Sequence, residues 1–411
     1  MKEEKKTDNI DFLPILLASD INVYSMGRAF HEEYGIRSLM MARELSGAVF
    51  HTRILDYWQE PKLNETEVFL ETMNAVYEKY GKDRTLILIG CADHYVRLIV
   101  QNKERLKDKF ILPYTDLHIM DNIILKETFY GLCDKYDLDY PTTFIHTPDT
   151  GYDYELDFGF PVVLKASDSV KYHAHRFEGF HKVFFIDDRE ELDETLRKIY
   201  AAGYDDNMII QDMIPGADAY IYDLHMYTGS DHKIKMMNFG NVVLEEHTPT
   251  AIGNNAATLV DYNEEVMTKI KNFLEGIGFE GLCDCDLKYD ERDGKYKMLE
   301  INIRQGRSHY RVTGGGDNLA KLIVDDYVYK REIKGTKYVK DPFFWHAVPL
   351  GIVYKYVKDS DKVASIKELV KSGESCNSLF YSKDMSLKRR MYLMLRNVNM
   401  YRKYRKFLRE R

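Results

Sequence analysis

Residues 281–308 read GLCDCDLKYDERDGKYKMLEINIRQGRS, and this pattern predicts two β-strands joined by a tight turn at Asp293-Gly294. Successive strand residues point to opposite faces. One face therefore collects the polar side chains of Asp284, Asp286, Lys288, Glu300, Asn302 and Arg304. The other collects Cys283, Cys285, Leu287, Leu299, Ile301 and Ile303. A pairing centred on Asp293 sets Asp286 opposite Glu300, and Asp284 opposite Asn302.

The polar face of this hairpin predicts a cation site. Carboxylates that oppose each other on neighbouring strands repel, and a cation between them removes the repulsion. The two carboxylates and the amide of Asp286, Glu300 and Asn302 are hard oxygen ligands, which suit Mg²⁺. Arg304 follows them and suits a phosphate oxygen. The alternative is a solvated, charged hairpin face.

The composition is typical of a soluble globular protein with two or three domains, because the 411 residues are 45% hydrophobic and 30% charged. The net charge of −8 argues against a general nucleic-acid-binding protein. Five cysteines favour a reducing, cytoplasmic setting over a disulfide framework. The apolar run 12–18 is too short for a secretory leader, and no run reaches the length of a transmembrane helix.

The first part of the chain alternates apolar strands with helices, which predicts a parallel, doubly wound α/β sheet. The expected strands are residues 12–19, 38–42, 85–92 and 110–114. Ligands bind at the carboxyl ends of such strands, so the turns at Ser19-Asp20 and Cys91–His94 are the places to examine. Asp20 has the alternative role of a helix N-cap. The G-x-G-x-x-G signature of dinucleotide sites does not occur here.

The following part of the chain predicts an α+β unit with two notable lysines. Lys126 lies on a helix expected over 122–136, and Lys165 ends an apolar strand, where a lysine is costly unless it meets an anion. We expect an N-terminal α/β domain (1–114), a central domain (115–345) with subdomains 115–215 and 216–345, and a C-terminal extension (346–411).

Four motifs in order resemble the ATP-grasp superfamily of carboxylate–amine ligases: the helix lysine Lys126, the strand Pro161–Lys165, the hinge Gln211–Gly216, and the paired strands with Asp286 and Glu300–Arg304. The chain is more closely similar to the D-aspartate ligases of Gram-positive bacteria. The stretches that carry this similarity are residues 12–24, 288–297 and 300–308. It implies an ATP-grasp fold behind an N-terminal doubly wound (pre-ATP-grasp) domain.

The resemblance also implies an activity and its residues. ATP activates a carboxylate as an acylphosphate, which an amine then attacks; the family joins D-aspartate to the lysine side chain of a peptidoglycan precursor. Mg²⁺ would be held by Asp286, Glu300 and Asn302. ATP would be held by Lys126, Lys165, Gln211, Asp212, Ile214 and Asp218. The catalytic side chains would be Arg304 and Lys165.

The amino-acid substrate and the attacking amine need further groups. Arg307 suits a second substrate carboxylate, and Ser308, His309 and His247 are further substrate candidates by position. His247, His309 and Asp284 are the candidates for a base that takes the proton of the amine; the alternative for each is a structural role. The alternatives for function are a related ligase with another amino acid or peptide acceptor, and a noncatalytic ATP-binding or membrane-associated protein.

The last 26 residues, 386–411, carry ten Lys/Arg and one Glu, with apolar residues at nearly helical spacing. One interpretation is a helix packed on the enzyme core. The other is a basic amphipathic helix that rests on an anionic membrane or binds an anionic precursor, which would place a cytoplasmic protein at the inner face of the membrane.

Overall fold

The N-terminal sheet is parallel, as predicted for this alternation of strands and helices. The computed structural model describes residues 11–168, 171–172, 174–246, 251 and 253–408. The strands, in the order β3-β2-β1-β4, are β1 (Phe12–Leu17), β2 (Ser38–Ala42), β3 (Leu55–Gln59) and β4 (Thr85–Gly90). The helices that accompany them are α1 (Ile21–Tyr34), α2 (Thr66–Tyr80), α3 (Asp93–Gln101) and α4 (Lys103–Leu106). The carboxyl ends of β1 and β4 lie side by side.

One strand expected in this sheet is absent, and one strand that it contains was missed. Residues 110–114 form only isolated bridges, Ile87 to Ile111 and Tyr114 to Gly281, instead of a strand. The edge strand β3 was not expected, because its partly exposed sequence LDYWQ lacks an apolar run. Edge strands are half solvated, so their sequences carry a weaker signal.

The helix expected over 122–136 is two helices, α5 (Leu117–Ile124) and α6 (Lys126–Lys135). Leu125 separates them with an extended backbone (φ −72°, ψ 119°). Lys126 is consequently the first residue of α6 and lies at a helix start.

A small antiparallel sheet with its own core follows. Its order is β5-β8-β6-β7, with β5 (Thr143–His146), β6 (Val162–Ala166), β7 (Val183–Ile186) and β8 (Met208–Asp212), and with α7 (Arg189–Ala201) between β7 and β8. Leu192, Leu196 and Ile199 of α7 pack on this sheet. This core is separate from the main one, so the small sheet is a distinct packing unit.

The large sheet holds the hairpin. The strands in its main order, β13-β12-β9-β10-β11-β15-β16, are β9 (Ile221–Thr228), β10 (Ile234–Glu245), β11 (Asn255–Val260), β12 (Gly281–Asp290), β13 (Lys295–Asn302), β15 (Phe344–His346) and β16 (Ser375–Asn377), and β14 (Lys337–Tyr338) pairs with β10. The helices of this part are α8 (Glu264–Gly276), α9 (Tyr310–Gly314), α10 (Leu319–Ile323), α11 (Leu350–Tyr356) and α12 (Ser360–Ser372). The main core joins the apolar face of this sheet to the N-terminal sheet. The domain boundaries given above stay a prediction.

The chain closes with α13 (Leu387–Phe407), which packs on the core through one face. Arg389 is fully buried there and donates to the carbonyls of Ala48 and Phe50. Among residues 11–408, outside the gaps given above, no helix combines the length and the apolar character needed to cross a bilayer.

Candidate active site

The hairpin has the predicted register at its polar end. Asp286 pairs with Glu300 and Asp284 with Asn302, and the Asn302 amide donates to the Asp286 carboxylate over 3.3 Å. A bulge then follows, so that Leu287 pairs with Met298. Met298 is therefore the buried side chain here, and the expectation that Leu299 continues the apolar face is wrong.

The two opposed carboxylates have opposite electrostatic surroundings. Burial and the neighbouring carboxylates of Asp284 and Glu300 raise the pKa of Asp286 well above its usual range. Burial would also raise the pKa of Glu300, but Lys126, Lys182 and Lys165 outweigh it and lower the pKa to about 2. Crowded carboxylates of this kind are stabilised by a cation between them.

The donor set fits Mg²⁺. Two carboxylates and an amide oxygen are hard ligands. The raised pKa of Asp286 is consistent with a carboxylate that the charges of the protein do not offset by themselves. Asp286, Glu300 and Asn302 would hold the ion, which when bound supplies positive charge to phosphate oxygens.

Three lysines lie around Glu300. Lys165 is on β6, Lys126 begins α6, and Lys182 directly precedes β7. Burial and the charge of Lys126 lower the pKa of Lys165 to about 7, and the Glu300 carboxylate, which acts in the opposite direction, does not offset them. Sequence reasoning missed Lys182, although it stands at the edge of an apolar strand in the same way as Lys165.

The residues expected around adenine are anchored by the protein itself. The Gln211 side chain donates to Tyr130 and Thr143, each over 2.8 Å. Asp212 forms an ion pair with Arg292 at 2.5 Å. Their contribution to a nucleotide pocket would therefore be through positioning and backbone groups.

Lys288 connects this hinge to the hairpin. Its ammonium group donates to the carbonyl of Ile214 over 2.8 Å. Asp218, the expected ribose partner, accepts a hydrogen bond from the backbone N–H of Glu245 (2.9 Å) and lies within electrostatic range of Lys288. The structure thus places the hinge next to the polar face of the hairpin.

The carboxyl end of the N-terminal sheet meets the same site. Asp93, at the start of α3, forms a two-pronged ion pair with Arg304 (2.7 and 3.1 Å). Asp20 caps α1 by accepting from the backbone N–H groups of Asn22 and Val23, and it lies within electrostatic range of Arg304. Both turns singled out in the sequence are therefore at the site, with Asp20 also an N-cap.

Sequence reasoning missed a buried polar network behind the metal-ligand candidates. Asp223 and His225 alternate on β9, the neighbour of β12, and face Asp286 and Asp284. His225 contacts Asp284 at 2.7 Å and Ser308 at 2.8 Å. Arg311 pairs with Asp223 at 2.7 Å. Charged residues two apart on an apolar strand were the available signal.

This network has a supporting role. Arg311 and His225 outweigh burial and hold the pKa of Asp223 far below its usual range, while Asp284 and Asp223 outweigh burial and raise the pKa of His225. Asp223, His225 and Asp284 are close enough to share a metal ion, but their atoms already bond to Ser308, Arg311 and each other. The fully buried Ser308 belongs to this network.

The remaining substrate and base candidates differ in access. His309 is fully buried, its Nδ1 lies 2.8 Å from the Gly306 carbonyl, and burial lowers its pKa to about 3. This environment favours the neutral form of the imidazole and the structural alternative. Asp284 is engaged by His225. Arg307 pairs with Glu246 at 2.7 Å and lies within electrostatic range of Asp20. His247 lies outside the described residues.

Comparison with known proteins agrees with this geometry. The D-aspartate ligase of Enterococcus faecium (strain Aus0004) is 38% identical to the chain over 410 residues, which cover 97% of each protein. The chain belongs to the D-aspartate ligase family. Family membership confirms the predicted class, an ATP-dependent ligase that joins a carboxylate to an amine and uses ATP and Mg²⁺. No family model matches the chain.

Solved structures confirm the fold. The ADP complex of N5-carboxyaminoimidazole synthetase from Staphylococcus aureus has a TM-score of 0.59 at 11% identity and covers 97% of this chain and 100% of its own. The L-amino acid ligase from Bacillus licheniformis has a TM-score of 0.54 at 15% identity, over 78% of this chain and 75% of its own. The predicted ATP-grasp fold behind a doubly wound domain is therefore correct.

Proposed function

We propose that this protein uses ATP to activate the β-carboxylate of D-aspartate and joins it to the lysine side-chain amine of a peptidoglycan precursor. The observation that carries the proposal is the opposed pair Asp286 and Glu300 beside three lysines, in a chain of this family. Such a site can bind a polyphosphate with its cation. The assignment of D-aspartate as the substrate rests on the similarity to the Enterococcus faecium enzyme. The assignment of the acceptor rests on the resemblance to the family.

The residues divide the work between binding and positioning. Lys126, Lys165 and Lys182 contact the ATP phosphates. The hinge Gln211–Gly216, together with Asp218, holds the nucleoside. Phosphoryl transfer asks mainly for alignment and charge neutralisation. Arg304, held by Asp93, faces the oxygen atoms of the phosphoryl group that moves to the substrate carboxylate. The amine then attacks the acyl carbon, and phosphate leaves with one former carboxylate oxygen.

ADP release from the purified protein tests the proposal. The reactions contain Mg²⁺, ATP, an amine-bearing stem peptide and one of D-aspartate, L-aspartate, D-asparagine or D-alanine. We expect D-aspartate to give the fastest ADP release and a stoichiometric amide product. Absence of amino-acid-dependent ADP with every pair would contradict ligase activity, and equal rates with L-aspartate would contradict the assigned substrate.

We also propose that the protein is cytoplasmic and contacts the inner membrane surface through α13. One face of this helix carries six apolar side chains that are 46–76% exposed: Leu387, Met391, Met394, Leu395, Val398 and Tyr401. Exposed basic residues border this face, among them Lys388, Arg390 and Lys406, and α13 contains no Asp or Glu. Apolar side chains with a cationic border are complementary to an anionic bilayer.

Vesicle sedimentation tests the membrane contact. We expect binding to phosphatidylglycerol vesicles, little binding to phosphatidylcholine, and weaker binding in high salt. The double variant Met391→Ser/Leu395→Ser should lose binding and keep ADP release with a soluble acceptor. Equal binding of variant and parent, or a concentration-dependent dimer that uses this face, would overturn the assignment.

A further inference from the structure

Arg307, which follows the hairpin, has a buried N–H group without a hydrogen-bond acceptor among the described residues. Its Nη2 atom donates to the Glu246 carboxylate over 2.7 Å. Its Nε atom is buried, and no described residue accepts a hydrogen bond from it. A guanidinium has its donors in a fixed planar arrangement suited to carboxylates. Arg307 therefore has capacity for one more acceptor.

A second guanidinium reaches the same place from the other end of the chain. Arg396 lies on the packed side of α13, where its Nη1 donates to the Ala347 carbonyl over 3.2 Å. Burial and the nearby positive charge of Arg307 lower the pKa of Arg396, while Glu246 acts in the opposite direction. None of the described carboxylates forms an ion pair with Arg396 within 4.0 Å. The Tyr404 hydroxyl of the same helix donates to the Glu245 carbonyl over 3.0 Å, so α13 is packed against the segment that holds Glu246, the partner of Arg307.

The position of this pair relative to the hairpin suits a small amino acid. Arg307 is three residues beyond Arg304 in the sequence. Asp20 lies within electrostatic range of Arg304 and Arg307. The region therefore presents two guanidiniums and two carboxylates beside the phosphoryl-transfer site. When an acidic amino acid reacts through its side-chain carboxylate, its α-carboxylate and α-ammonium groups also need binding partners. Groups of both signs are available for them.

We propose that Arg396, supplied by the C-terminal helix, completes with Arg307 a pocket for the α-carboxylate of the amino-acid substrate. The inference rests on the proposed function and adds a residue from the C-terminal extension to the active site. Arg396 is thereby a specificity residue: it distinguishes substrates that carry a second carboxylate from those that do not. Glu246 holds Arg307 through an ion pair and lies within electrostatic range of Arg396, and with Asp20 it can receive the ammonium group.

Comparison of D-aspartate with β-alanine, which is aspartate without the α-carboxylate, tests this assignment. In Arg396→Met we expect the KM for D-aspartate to rise at least tenfold. The inhibition constant of β-alanine and the KM for ATP should stay within twofold of the parent values. If Arg396 had only a structural role, the substitution would weaken the binding of D-aspartate and of β-alanine to the same extent. Parallel changes for the two compounds, or unchanged D-aspartate binding, would overturn the inference.

Matched variants separate this result from misfolding and from failure of the proposed function. Arg402→Met removes an exposed charge from the same helix and should leave all constants unchanged. Arg396→Lys keeps the charge without the planar donors and should give an intermediate KM. It carries the test if Arg396→Met does not fold, and parental constants in Arg396→Lys would then contradict the pocket. If the parent releases no ADP with D-aspartate, the proposed function itself fails and the pocket fails with it.

Discussion

Glu300 is the carboxylate at which the charges of the proposed site converge, because it lies among Lys126, Lys165 and Lys182 and opposite Asp286. Glu300→Gln keeps the size of the side chain and removes the charge. We expect turnover to fall by about 10²-fold or more, the magnitude typical for loss of one electrostatic contact to the transition state. Steady-state ADP release measures it. Glu291→Gln, in the exposed hairpin turn, is the control, and a near-parental rate in Glu300→Gln would refute the assigned role.

Lys165 gives the site a pH dependence. Its pKa of about 7 in the free protein lies below the usual 10.5, so the side chain is mostly neutral at pH 8. Bound phosphates favour the charged form, and nucleotide binding therefore takes up a proton above pH 7 and weakens as pH rises, by up to about tenfold per pH unit. The same shift makes the free energy of unfolding rise between pH 7 and 10.5, where the unfolded chain binds the additional proton.

Calorimetry with a nonhydrolysable ATP analogue at pH 8, in two buffers of different ionisation enthalpy, measures this uptake. We expect close to one proton for the parent and close to zero for Lys165→Met. The exposed Lys198→Met serves as the control. Equal proton uptake in the parent and Lys165→Met would show that another group titrates.

For individual residues, the sequence predicts proximity within one hairpin better than proximity between residues of distant elements. Asp286, Glu300 and Asn302 follow from strand alternation and one turn, so their juxtaposition could be predicted. Lys182 and Arg396 reach the site from distant parts of the chain. Their arrival depends on how β7 and α13 pack, which a local pattern does not contain.

Among the elements, α13 has features that both interpretations of its sequence require. One face is packed, as the first interpretation expects, and the opposite face is apolar and exposed. The helix split at Leu125 and the missed strand β3 show where local pattern fails. The interruption of the helix at Leu125 and the formation of the half-solvated edge strand β3 both depend on tertiary contacts.

The packed face of α13 should contribute strongly to stability. Arg389 is buried, lies 3.2 Å from Asp384 and donates to two carbonyls. Arg389→Leu removes the cation beside the buried Asp384 carboxylate, which keeps only neutral and backbone donors, and it leaves two carbonyls without their donor. We therefore expect the free energy of unfolding to fall by about 3–5 kcal/mol. Urea denaturation measures this value. The exposed Arg390→Leu should change it by less than about 0.5 kcal/mol, and equal small losses in both variants would contradict the packing role.

For the whole molecule, the site exists only where three parts meet. The N-terminal sheet contributes Asp20 and Asp93, the small sheet contributes Lys165, and the large sheet contributes the hairpin. The two cores that flank the lysines and the hairpin are separate. The parallel α/β sheet and the α+β unit could be predicted because strand and helix patterns are local, whereas the ATP-grasp fold followed from the resemblance of four motifs to that superfamily. The way in which the parts face each other required the structure.

Oxygen transfer tests the central claim, activation of the D-aspartate β-carboxylate by ATP, most directly. The protein is supplied with Mg²⁺, ATP, the stem peptide and D-aspartate labelled with ¹⁸O in the β-carboxylate, and the phosphate product is analysed by mass spectrometry. Formation of an acylphosphate followed by amine attack moves one labelled oxygen into each phosphate. We predict one ¹⁸O atom per phosphate from the β-label and none from an α-label. Unlabelled phosphate released together with amide product from the β-labelled substrate would contradict the account.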